Sequence, residues 1–261
     1  MSQEEVIVET LERTLRVTLN RPKTRNALTK PVVEKMAAAI ATGGEDPGIR
    51  VIVVTGAGGH FCAGADLRGG FAADPDFFDK LDVYMDAFHS LIRAIVRAPK
   101  PVIAAVDGCA VGFGADLALA ADLRVASTDA YIQEKFVGIG LMPDGGGTFW
   151  LPRLVGTARA MKAMLLADKI EAKELESLGL LAECVPPADL EATAMALAAR
   201  LEKGPPLAFA ALKRSVLEGL GDIDAALRRE REGQLELLKS ADVMEGVMAW
   251  TQKREPEFKG K

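Results

Sequence analysis

A chain of 261 residues, 49% of them hydrophobic, can bury a substantial core as one large domain or as a main domain with an appendage. Its formal charge of −5 argues against a nucleic-acid surface, and no stretch reaches the roughly 18 apolar residues of a membrane span. Cys62, Cys109 and Cys184 are odd in number and lack CxxC spacing, which argues against a disulfide framework and a zinc site; the acidic start, with Glu4, Glu5, Glu9 and Glu12, does not resemble a secretory signal. The expectation is a cytoplasmic protein with no metal and no nucleic-acid or membrane partner.

In chain order, Leu15 to Leu19 alternates like a strand and stops at Asn20-Arg21-Pro22. A helix is expected next, with Thr29 as its cap and Pro31 near its start, running to Gly43-Gly44. The apolar run Val51 to Val54 leads to a first glycine turn, Phe61-Cys62-Ala63-Gly64-Ala65-Asp66-Leu67. Apolar residues from Phe77 to Ile95 then recur at helical spacing, and His89 inside that helix reads as structural. The pattern repeats as Val102 to Val106, a second turn at Gly112-Phe113-Gly114-Ala115-Asp116, a helix through Ala121 and a strand over Leu123 to Ala126. Recurrence of strand, turn and helix about every 50 residues predicts stacked parallel β-α units, hence an α/β class. From about Pro205, Phe209, Leu212, Val216, Ile223, Leu227, Leu235 and Leu238 predict amphipathic helices, which divides the chain into residues 1–204 and a helical region over 205–261. The basic stretch Arg153 to Lys162 reads as a solvated face.

The first two turns carry a chemical implication. Backbone N–H groups at a helix start have no intrahelical partner and lie at the positive end of its dipole, so two such turns facing each other can hold a thioester oxygen as negative charge develops on it. A third turn, Pro143-Asp144-Gly145-Gly146-Gly147-Thr148, brings a carboxylate, for which a helix cap or a surface turn are the plainer readings. Thr55-Gly56-Ala57-Gly58-Gly59 does not complete a dinucleotide fingerprint, because Phe61 stands where the last glycine belongs. A serine hydrolase is disfavoured, since no nucleophile motif accompanies the two histidines.

With these residues in hand, the sequence resembles the crotonase superfamily of enoyl-CoA hydratases and isomerases over nearly its whole length. The resemblance is carried by Asn20-Arg21-Pro22 with Asn26-Ala27-Leu28, the Phe61 to Leu67 turn, Lys100 to Gly108, the Pro143 to Thr148 turn, Leu151 to Gly156, and Lys253 to Phe258. It implies a spiral of repeated β-β-α units with a C-terminal helical trimerisation region, a homotrimer or hexamer, an acyl-CoA substrate, and no cofactor beyond the CoA of that substrate. It assigns the oxyanion donors to the N–H groups of Ala65 and Phe113, the latter standing where glycine is common, with a ring that would narrow the acyl pocket. It also places CoA along Lys23, Arg25, Ala27, Ala63, Asp66 and Leu67, with Phe258 closing over it.

The reaction turns on carboxylates. Hydratases of this superfamily use two, and the matching positions here are Asp116 and Phe136, so the usual pair is broken and the resemblance leaves Phe136 as an acyl-CoA-binding residue. Glu134, two residues before Phe136, would restore it only through a change of register. Asp144 occupies a place where some isomerases, including those of phenylacetate catabolism, carry an active-site aspartate, and the motifs of this chain are closest to that branch. The expectation is therefore an enoyl-CoA isomerase with one carboxylate as proton shuttle, made more basic by burial near Phe136, Ile139 and Met142. A hydratase is the alternative; a non-catalytic CoA-binding or scaffold protein is a third reading, which turnover of any enoyl-CoA would exclude.

Overall fold

The computed structural model describes residues 4–71, 77–204, 206–219, 223–254 and 256. Strands β1 (Val6–Leu11) and β2 (Thr14–Leu19) form an antiparallel pair, followed by α1 (Lys30–Glu45), β3 (Val51–Gly56) and α2 (Leu81–Arg97). Next come β4 (Val102–Val106), β5 (Cys109–Val111), α3 (Phe113–Ala120), β6 (Leu123–Ser127), β7 (Tyr131–Gln133) and α4 (Gly147–Val155). The chain continues through α5 (Thr157–Leu166), β8 (Ile170–Glu171), α6 (Ala172–Ser177), β9 (Glu183–Val185) and α7 (Leu190–Glu202), then α8 (Pro206–Gly219), α9 (Ile223–Leu237) and α10 (Ala241–Gln252).

The larger sheet has the order β1-β2-β3-β4-β6-β9, parallel from β2 onward; the smaller has the order β5-β7-β8. β3 and β4 are continuous apolar runs because both faces of the sheet are covered. Residues two apart share a face, so Ile52, Val54, Val102 and Ala104 join the main core with Leu91 and Ile92 of α2, while Val51, Val53, Ile103 and Ala105 pack on Leu190, Ala194 and Ala198 of α7.

The two sheets divide the work of each repeat. β3, β4 and β6 lie side by side in the large sheet, and the segment that follows each one crosses to the small sheet: Cys62 bridges to Ala110, β5 pairs with β7, and Ala110 lies opposite Ile132. Each crossing then ends in a turn. The segments that leave the small sheet thus stack at one end of it, and they carry Ala65, Phe113 and Glu134. This is the repeated β-β-α arrangement expected from the resemblance.

The helices after residue 204 are tied to the rest of the chain. Ile223 and Leu227 of α9 are buried in the main core, and Leu238 and Val243 pack with Phe77, Leu81, Phe136 and Leu141. Packing therefore crosses the 204/205 boundary, and α9 and α10 wall the region that holds the third turn. Thr29 occupies the N-cap position of α1 without a side-chain capping bond, and the basic stretch falls in α4 and α5, where Arg153 stacks its guanidinium 3.8 Å over the Phe149 ring.

Candidate active site

The first turn depends on Gly64. Its φ is +87°, and a side chain there would come within 2.7 Å of the Val111 carbonyl oxygen and 3.5 Å of the Phe113 nitrogen, so glycine lets the first and second turns touch. Phe113 is the first residue of α3, where an N–H has no intrahelical acceptor, and it has an ordinary negative φ. Among the described residues, the neighbouring N–H groups of Ala63, Asp66, Gly112 and Ala115 all donate to backbone carbonyls, whereas those of Ala65 and Phe113 donate to none. One uncommitted donor at the start of a helix, with a second on the turn that Gly64 brings against it, is what a developing oxyanion requires.

The Phe113 ring does not stand in the cleft. It is 2% exposed and lies edge-on to Phe88, with centroids 4.8 Å apart, inside the main core. The expected narrowing of the acyl pocket by this ring is therefore corrected: the aromatic wall beside the oxyanion turn is Phe136, whose ring lies 3.8 Å from the Cβ position of Gly112.

The carboxylates are arranged differently from the sequence expectation. Asp116, in the first turn of α3, is fully buried, and its Oδ2 accepts from the N–H of Gly145 at 2.9 Å. Glu134 is 2% exposed. A Cβ placed on Gly147 would lie 2.5 Å from Asp116 Oδ1 and 2.8 Å from Glu134 Oε1, so the two carboxylates converge on the space that this glycine leaves empty. No register change is needed. β7 ends at Gln133, and the 3-10 turn Phe136–Ile139 swings Phe136 into the apolar cluster of Leu81, Leu141 and Val243, leaving Glu134 beside Asp116.

Asp144 is half-buried and is not the cap of α4, a place held by Gly146. Its Oδ2 accepts from Nε2 of Gln234 at 2.7 Å, and its backbone carbonyl accepts from Nε2 of His89 at 2.9 Å. Burial pushes the His89 imidazole down to about 4, so at neutral pH it is an uncharged donor.

Residues 23–28 are laced to residues 63–66. Ala63 N–H donates to the Arg25 carbonyl, Leu28 N–H to that of Gly64, and Asp66 N–H to that of Leu28, at 2.8 to 2.9 Å. Buried Asn26 accepts from Arg21 N–H and donates to the carbonyls of Ala57 and His60. Lys23 and Arg25 are exposed on this edge, beside buried Ala27 and half-buried Ala63 and Leu67. Asp66 is engaged by Arg21 at 3.0 Å and by the N–H groups of Arg68 and Gly69, so it shapes the turn rather than presenting an open charge. Phe258 lies outside the described residues.

The match to the enoyl-CoA hydratase/isomerase family model spans residues 9–261. The chain belongs to that family. Within it, a probable enoyl-CoA hydratase of Rhodobacter capsulatus is 44% identical over 94% of both chains, and the 1,2-epoxyphenylacetyl-CoA isomerase of Escherichia coli is 36% identical over the same shares. The crystal structure of an enoyl-CoA hydratase from Mycobacterium avium subsp. paratuberculosis superposes with a TM-score of 0.89 at 37% identity, covering 98% of this chain and 99% of that one. The superfamily resemblance holds, while special closeness to the phenylacetate isomerases does not stand out: the hydratase-named relative is the more similar of the two.

The protein is an acyl-CoA-acting enzyme of the enoyl-CoA hydratase/isomerase family, with its α/β spiral and helical C-terminal region. Among the described residues no helix is long and apolar enough to cross a membrane, and no cluster of histidine, cysteine and acidic residues could hold a metal. The sequence singled out Ala65, Phe113, Asp116, Asp144 and Phe136; the fold places the first four on the three turns and the Phe136 ring beside the second. It passed over Gln234, which carries no motif, and placed Glu134 outside the site unless the register changed. The strand ladder held the missing signal for Glu134: Val111 pairs with Gln133, which sets the next residue level with Gly112 of the oxyanion turn.

Proposed function

We propose that the protein is an enoyl-CoA hydratase that holds the thioester carbonyl at the N–H groups of Ala65 and Phe113 and adds water with Asp116 and Glu134. The observation that carries this reading is the convergence of those two carboxylates on Gly147. Hydration requires one group to take a proton from water as it attacks the β-carbon and one to supply a proton to the α-carbon. Each oxyanion donor contributes about 2.7–4 kcal/mol to the enolate-like transition state. The hydratase names of similar relatives support the same reading. Lys23, Arg25, Ala27, Ala63, Asp66 and Leu67 form the edge along which CoA would run.

A second reading is favoured by Asp144. Of the three carboxylates at the turns it alone is not fully buried, and one accessible carboxylate suffices to move a proton between the α- and γ-carbons of an enolised thioester. The similar isomerase of Escherichia coli accords with it. In this second reading Asp144 is the group that carries the proton.

The test compares two variants on two substrates. Glu134→Gln should slow crotonyl-CoA hydration by at least about 10²-fold with little change in KM, and Asp144→Asn should act likewise on conversion of a 3-enoyl-CoA to its 2-enoyl isomer. Full hydration by Glu134→Gln would remove the carboxylate pair from the mechanism. We also infer a homotrimer or hexamer, on the apolar surface considered in the Discussion.

A further inference from the structure

Asp144 is held by a side chain 90 positions away. Gln234 of α9 is 3% exposed and donates from Nε2 to Asp144 Oδ2 at 2.7 Å, while its Oε1 is buried without a hydrogen-bond partner among the described residues. A buried amide oxygen left in that state costs stability that an apolar side chain of similar size would not lose. The turn does not need Gln234 for its backbone, because His89 already bonds the Asp144 carbonyl. Both ends of this amide therefore ask for a use.

We propose that Gln234 is a positioning residue for Asp144 that serves both protonation states of its carboxyl group. Nε2–H donates to the carboxylate, and a half-turn of the amide brings Oε1 round to accept from the carboxylic acid. Rotation about the terminal torsion of glutamine is broad and roughly two-fold, so the exchange needs no backbone movement. The proton enters Asp144 from one substrate carbon and leaves to another; Gln234 stays neutral and no co-reactant is consumed. The proposal rests on the second reading, in which Asp144 carries a proton during isomerisation.

The titratable and charged groups around Asp144 come from several elements. α2 brings His89, together with Asp82 and Asp86, which face Arg231 one turn before Gln234 on α9 at 2.9 and 4.0 Å. α3 brings Asp116, which holds Gly145, and the segment after β7 brings Glu134 against Gly147. None of these is altered by the substitutions at Gln234.

The experiment measures kcat and KM against pH for the full-length protein on the conversion of a 3-enoyl-CoA to its 2-enoyl isomer. Gln234→Leu should lower kcat about tenfold with KM within about twofold, and should move the acid limb of the kcat profile up by about 1 pH unit, because a donor to the charged form is lost. Gln234→Glu, nearly isosteric, should gain an alkaline limb absent from wild type: the introduced carboxyl group donates to Asp144 while protonated, and loss of that shared proton leaves two like charges in contact. A purely structural role would lower melting temperature or kcat without moving either limb. If Asp144→Asn is inactive and both Gln234 variants keep the wild-type profile, the role of Gln234 is overturned while that of Asp144 stands. If Asp144→Asn keeps full turnover, Asp144 carries no proton and the proposal falls with it.

Discussion

His89 shows how one buried side chain couples the site to stability. Its imidazole is 1% exposed, bonds the Asp144 carbonyl, and is pushed by burial from its ordinary 6.5 to about 4. Because the folded value lies below the unfolded one, the unfolded chain binds more protons between these pH values, and folding stability falls as pH drops through that window. The predicted loss is about 3 kcal/mol between pH 6.5 and 4. Urea denaturation across this range measures it, and His89→Gln, which keeps a donor but cannot titrate, should lack this component. At the same scale the sequence conveyed residue types but not where a strand stops. Counting back from Pro143 found Phe136 and missed that a 3-10 turn begins there, two residues after Glu134. Gln234 was illegible for another reason: nothing local in an amphipathic helix marks the one glutamine that meets a carboxylate 90 positions earlier.

Among the elements, α3 matters most to the proposed site, since its N-terminus carries the Phe113 N–H. Its other end is held by Arg124, 8% exposed, which donates to the Ala121 carbonyl at 2.8 Å, to those of Ala118 and Leu119 at 3.3 Å, and to that of Leu180 at 2.8 Å. Burial lowers Arg124 to about 10, which leaves it charged at neutral pH against the negative end of the helix dipole. Arg124→Met should cost about 2–4 kcal/mol by orphaning those carbonyls, read as a lowered denaturation midpoint. The same element scale explains what the sequence revealed. β2, β3, β4 and β6 and the helices α1 to α3 are long enough for their periods to register, whereas β5, β7, β8 and β9 have two or three residues each and offer no alternation to read. Three of them, β5, β7 and β8, build the small sheet, and with it the stacking of the turns.

Among the described residues, most of the large exposed apolar side chains lie on α5, α8 and α10. Leu165, Leu166, Leu212 and Val216 are more than half exposed, and Met161, Met244, Met248 and Trp250 nearly so. Faces of this kind are expected to be covered by further copies of the chain. Light scattering should therefore return the mass of a trimer or hexamer, and paired charges at Leu212 and Val216 should reduce it; a wild-type monomer would contradict the assembly. The central claim concerns chemistry, and the mass of the product formed from crotonyl-CoA by the wild-type enzyme tests it most directly. The expected product is heavier by one water and is formed at least about 10²-fold more slowly by Glu134→Gln. A wild-type protein that returns crotonyl-CoA unchanged in mass would contradict that claim.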